Sequence, residues 1–157
     1  MRNSIFLLIL LLSSQAVLAS EHIPACKNKN TVISYNNEQV LGWKFSEKSK
    51  FLSRAFIKGS IVGIIENRQG HIHFEVDFDK DLTTNNDRVE VIYNVEFGEL
   101  PDFRVGDELI ACGDFIVDSW SPLGAVVHWL HSNPNANKNK HEDGFLVING
   151  QVTGLKK

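Results

Sequence analysis

The chain has little cysteine, no surplus of positive charge and no apolar run long enough to cross a membrane. Each absence removes a class of protein. Two cysteines, Cys26 and Cys112, stand among 157 residues, and without a C-x-x-C spacing they are not a redox-active pair. Acidic residues outnumber basic ones, 19 to 16. A protein that grips long duplex nucleic acid needs a broad basic field for the phosphates, so that partner is not expected. The longest apolar run, Ile5 to Leu12, has eight residues, whereas a spanning helix needs about 20. No G-x-S-x-G or H-E-x-x-H is present, which removes the familiar serine-hydrolase and zincin signatures. No internal repeat occurs.

What is present begins with an export signal. Arg2 supplies a positive start, Ile5 to Leu12 the apolar core, and Val17-Leu18-Ala19 a small-residue cleavage site. Residues 1–19 therefore read as a cleavable signal peptide, which places the protein in the periplasm or outside the cell. Ile23-Pro24-Ala25-Cys26 has a faint likeness to a lipid-attachment site, but Glu21, His22 and Pro24 set it apart from the apolar run. Removing residues 1–19 leaves 138 residues with a net charge of −4, a length that suits one domain. Two cysteines in an oxidising compartment usually pair. A Cys26–Cys112 disulfide is expected to tie the mature N-terminus to the body of the domain.

Residues 20–50 read as an N-terminal arm in which Thr31 to Gln39 forms a short helix capped by Asn30, followed by a charged connection from Gly42 to Lys50. From residue 51 to 157 the pattern is that of strands. They are expected over Ala55–Glu66, His71–Asp79, Val89–Val95, Asp107–Val117 and Ala125–Leu130. Phe145–Ile148 and Gln151–Thr153 form a terminal hairpin about Asn149-Gly150, the strongest short hairpin signal. Gly59 and Gly63 inside a strand suggest bends, as small barrels need. The expected fold is mainly β: an OB-like barrel of five to six strands with a short N-terminal helix, or alternatively a β-sandwich.

The histidines carry the chemistry. On the His71–Asp79 strand, Ile72, Phe74, Val76 and Phe78 share one face, while His71, His73, Glu75, Asp77 and Asp79 share the other. Two imidazoles and a carboxylate suit zinc or copper; the bland alternative is a solvated sheet face. His128 and His131 point to opposite faces of a straight strand and share a site only if the chain bends between them. His141-Glu142-Asp143-Gly144 closes a polar loop, where Asp-Gly is also ordinary turn chemistry.

Gly124-Ala125-Val126-Val127-His128-Trp129-Leu130-His131, then Asn133-Pro134, then His141-Glu142-Asp143-Gly144-Phe145 resembles a family of small exported bacterial proteins known only as a domain of unknown function. Its signature is G-G-V-I-H-W-T-H-x-D-P, a spacer, then H-x-D-G-W. Gly70-His71-Ile72-His73-Phe74 is similar to its H-Q-x-F strand. Tyr93-Asn94 stands at its H-N, and Val105-Gly106-Asp107 and Gly113-Asp114-Phe115 at its G-D and G-E-Y. The resemblance covers about Val32 to Gly154. It implies that the family's histidines correspond to His71, His128, His131 and His141, with Asp143 beside them, and His73 has no counterpart. Tyr93 replaces a histidine, Phe145 a tryptophan, and Asn137 to Lys140 lengthens the loop. The resemblance brings no activity with it.

Three classes of function remain open. The first is a binding module that holds a small or oligomeric ligand on Tyr93, Asn94, Trp129 and Phe115. The same module could hold a divalent transition metal, zinc or copper, on His71, His128, His131, His141 and Asp143. The second is a phosphodiester hydrolase, with His128 and His141 exchanging protons and Lys138 or Lys140 stabilising charge. The third is structural, with the histidines locking the long loop onto the barrel.

Overall fold

The computed structural model describes residues 22–79, 81, 83–135 and 141–156; the expected signal peptide over 1–19 and the lysines at 138 and 140 lie outside them. The described chain is mainly β with one short helix, as its composition of alternating apolar strands predicts. A small ladder, β1 (Lys27–Asn28) with β2 (Thr31–Val32), turns through Lys29 and Asn30, both at positive φ. This displaces the expected helix. It runs instead over Asn37–Ser46 (α1) and includes much of the presumed charged connection. The reason is Asn36. Its side chain does not cap the helix but is spent on a neighbouring strand, accepting from the Phe56 N–H at 2.8 Å and donating to the Arg54 carbonyl at 3.1 Å. The helix starts where that anchor holds the chain. Val40 and Trp43 then turn inward, and the Trp43 ring lies 5.7 Å from Phe115.

The remaining strands are β3 (Leu52–Arg68), β4 (His71–Asp77), β5 (Arg88–Asn94), β6 (Glu108–Val117), β7 (Ala125–His128), β8 (Phe145–Ile148) and β9 (Gln151–Thr153). Strand β3 is long enough to serve two neighbours. Its first half pairs with β6, its second half with β4, and Ser60 belongs to both ladders. Gly59 sits at this change of partner because a Cβ there would strike the Asp77 carbonyl. Two register shifts follow, at Ile61/Gly63 and Ile64/Glu66, where bulges add the twist a closing sheet needs. The sheet returns on itself as β3–β4–β5–β7–β6–β3, with β5 and β7 parallel and every other pair in the ring antiparallel. Inside the ring Phe74, Val76, Val91, Leu109, Phe115 and Val127 are buried. Each large apolar side chain removed from water there contributes about 1.5–3 kcal/mol.

Strand β6 decides where the site lies. One edge meets β3 along its whole length. The other edge is shared, with β7 on Asp114–Val117 and β8 on Leu109–Cys112. β7 and β8 therefore lie end to end, and the chain between them leaves the sheet at the gap. Gly144 closes the excursion: a Cβ there would collide with the Trp129 carbonyl and come within 2.6 Å of the Cys112 carbonyl. The Asp-Gly pair is a packing requirement as well as a turn. The β8–β9 hairpin forms as expected, with Asn149 and Gly150 both at positive φ. A second apolar cluster outside the ring joins Cys26, Phe56, Ile110, Cys112, Phe145 and Val147. Cys26 and Cys112 form the expected disulfide, with Cα atoms 5.7 Å apart.

Candidate functional site

Three segments bring imidazoles to one end of the barrel. β4 begins at His71, opposite Asn94 at the end of β5. β7 ends at His128, opposite Asp114. The neighbouring Tyr93 and Val127 point into the core, so alternation sends Asn94 and His128 outward. The strand expected to run on to Leu130 stops at His128, because Trp129 adopts a left-handed backbone with φ 57°. That conformation is uncommon for a bulky residue. It supplies the bend that lets His128 and His131 face one space. The space is a pocket of about 270 Å³, bounded by His71, His128 and His131 together with Asn94, Phe97 and Trp129.

Hydrogen bonds fix the tautomers of two of these rings. The His71 Nδ1–H donates to the Gln69 carbonyl at 3.1 Å, and the His131 Nδ1–H to the Ser132 carbonyl at 2.9 Å. In a neutral imidazole this leaves Nε2 as the acceptor. The His131 ring also stacks on Phe97, 3.5 Å away and parallel within 1°. The His71 and His128 ring centres are 6.0 Å apart. Burial pushes the His128 pKa down to about 4, and the charges of His71, His131 and His73 push the same way. Burial also lowers His131. Both rings are neutral at physiological pH.

His141 and Asp143 stand behind this pocket and do not line it. The His141 ring stacks on Trp129, with centres 3.9 Å apart, and directs Nδ1 to Asp114 Oδ2 at 2.5 Å. Asp114 Oδ1 accepts from Arg54 Nη1 at 2.9 Å. Arg54, nearly fully buried, also donates to the carbonyls of Lys27 and Asp143. Asp143 Oδ1 accepts from the Asn133 backbone at 2.6 Å, and Asn133 Nδ2 donates to the His141 carbonyl at 2.6 Å. These bonds lock the excursion between β7 and β8 onto the barrel.

Tyr93 and Phe115, expected as stacking platforms, are corrected by the structure: both are fully buried. Their strand positions alternate inward. The Tyr93 hydroxyl donates to the Gly98 carbonyl at 3.0 Å and lies 2.9 Å from Thr153 Oγ1, and burial raises its pKa. Asn94 and Trp129 do reach the pocket. His73 faces outward and pairs with the buried Glu90 at 2.5 Å. Phe97 had no sequence signal, while Pro134 and Asp114 lay within the quoted motifs without an assigned role in the site. Asp114 carried a signal, the Gly-Asp step in an apolar strand, while Phe97 and Pro134 reach the pocket only through loop geometry.

The loop and strands that build this pocket lie within a stretch, residues 31–154, that matches one known family. The chain belongs to the DUF3465 family. That family is described as a protein of unknown function. No curated protein matches this chain. The DUF3465 match takes in the ends of β4, β5 and β7 and the whole excursion to β8. Position 93, where this chain has tyrosine, faces the core of this barrel and not the pocket.

Proposed function

We propose that this DUF3465 protein is an exported binding module whose His71–His128–His131 pocket takes a divalent transition metal ion, zinc or copper. The observation that carries the reading is the pair of backbone carbonyls that hold Nδ1–H of His71 and His131. Metal-binding histidines characteristically donate their second ring nitrogen in this way, which orients the other as a ligand. A ring centre lies about 1 Å from its nitrogen and a Zn–N bond is about 2 Å, so rings about 6 Å apart reach one ion. The three imidazole nitrogens do not all lie within 4.8 Å of one another. Binding therefore draws His131 inward or leaves a position to water.

The closed ring of five strands supports reading the domain as an OB-like barrel, a fold that binds ligands on the face and loops near its second and third strands. Here those strands are β4 and β5. The signal-like residues 1–19 and the Cys26–Cys112 bridge fit a compartment outside the cytoplasm, and no described helix is long and apolar enough to cross a membrane. A small organic ligand is the second reading, favoured by the aromatic Trp129 and Phe97 walls. The hydrolase reading loses ground, because His128 lines the pocket while His141 does not and turns its Nδ1 to Asp114.

Isothermal titration of chelator-treated mature protein with Zn²⁺ and Cu²⁺ tests the proposal. The expected result is one site, lost in His71→Ala/His128→Ala and kept in His73→Ala. No binding to the wild type, or binding indifferent to the double substitution, overturns it.

A further inference from the structure

The opposite end of β4 holds a second group of ligating atoms, far from the histidine pocket. Carboxylate oxygens of Asp77, Asp79 and Asp87 all lie within 4.8 Å of one another. Two of these three residues are buried, Asp77 completely and Asp87 with only 7 % exposure. A buried carboxylate is costly unless it is paired or coordinates a cation. Asp77 meets that demand, since its Oδ2 accepts from Arg88 Nε at 3.1 Å. Asp87 Oδ2 accepts from the Asp79 N–H at 3.1 Å. Asp87 Oδ1 is different. It is buried and has no hydrogen-bond partner among the described residues. The nearby Lys44 ammonium feels Asp87 but donates to the carbonyls of Arg88 and Asn86.

The loop is organised around its acids. Asp79 Oδ1 accepts from the Asp81 N–H at 2.6 Å, and Asp81 Oδ1 accepts from the Thr83 N–H and hydroxyl. These bonds hold the carboxylates in place without neutralising them.

From the unpartnered buried Asp87 oxygen and its two carboxylate neighbours, we propose that the β4–β5 loop binds a hard divalent cation, calcium, with Asp77, Asp79 and Asp87 as ligands. All-oxygen donors exclude soft metals. Calcium takes oxygens at about 2.3–2.6 Å in flexible, irregular geometry, whereas magnesium demands near-ideal octahedral geometry at about 2.0–2.1 Å and gives up its waters reluctantly, so three carboxylates already tied to their loop and to Arg88 suit calcium better. Extracellular calcium modules work at about 10⁻⁴–10⁻³ M, which suits three carboxylates beside Arg88. The bound ion would clamp the ends of β4 and β5.

The test is thermal unfolding and calorimetric titration of the chelator-treated mature protein with CaCl₂ up to about 5 mM, a range that saturates such modules. The melting temperature is expected to rise by roughly 2–5 °C. Asp87→Asn should abolish the rise and leave the calcium-free protein at least as stable as wild type. Asp79→Asn, at the exposed member, should weaken binding about tenfold or more without touching the core. Absence of calcium heat and of any melting shift overturns the proposal. So does an undiminished calcium response in both variants, or an equal response to Mg²⁺.

Discussion

His128 should make this protein lose stability in acid, by an amount that follows from its burial. Its folded pKa of about 4 lies below the ordinary value of 6.5. Between those values the unfolded chain carries a proton on this ring and the folded protein does not. Stability is therefore full above pH 6.5, falls as the pH drops from 6.5 towards 4, and is flat below 4, where both states are protonated. At 1.36 kcal/mol per pH unit the interval corresponds to about 3 kcal/mol. Urea unfolding followed by tryptophan fluorescence, at about pH 7 and about pH 4, measures the loss. Carboxylates also titrate in this range, so the informative quantity is the difference between wild type and His128→Phe, a ring of similar shape with no proton to gain. Wild type should lose about 3 kcal/mol more than the variant over that interval. An NMR titration of the His128 ring should place its midpoint near 4. Equal acid losses in the two proteins, or a midpoint near 6.5, would refute the reasoning.

Two further outcomes follow from the connections around the excursion. The Cys26–Cys112 bridge closes a separation of 86 residues, and loop-closure entropy then gives it about 4.5 kcal/mol of stabilisation. Unfolding of a Cys26→Ser/Cys112→Ser chain against the oxidised wild type should show a loss of that order, and unchanged midpoints would contradict it. Arg54→Met leaves Asp114 without its guanidinium. The expected cost is about 3–5 kcal/mol, part of it recovered by adding Asp114→Asn. A chemical-denaturation cycle that shows no recovery would mean that Arg54 acts through its carbonyl contacts alone.

The elements legible in the sequence were those with a strong local signal. Alternation in His71-Ile-His-Phe-Glu-Val-Asp put Phe74 and Val76 inside, and Asn149-Gly150 fixed the last hairpin to the residue. The N-terminal helix was misplaced because Asn36 serves a strand sixteen or more residues away in sequence, which no local cap rule sees. The strand face read as solvated is in part buried. Arg88 crosses to both Glu75 and Asp77, and Glu90 lies under His73. That burial turned an ordinary acidic loop into a candidate cation site.

The sequence by itself determined that the chain is mainly β, that its two cysteines were candidates to pair, and where the terminal hairpin turns. These depend on period, composition and motif, which are local. Only the tertiary structure decided which histidines meet. The sharing of one β6 edge between β7 and β8, and the left-handed turn at Trp129, gather His71, His128 and His131 at one pocket. The same packing stacks His141 on the indole, turned to Asp114, and seals Tyr93 in the core. Those outcomes depend on contacts between distant segments, and residue identities along one strand do not encode them.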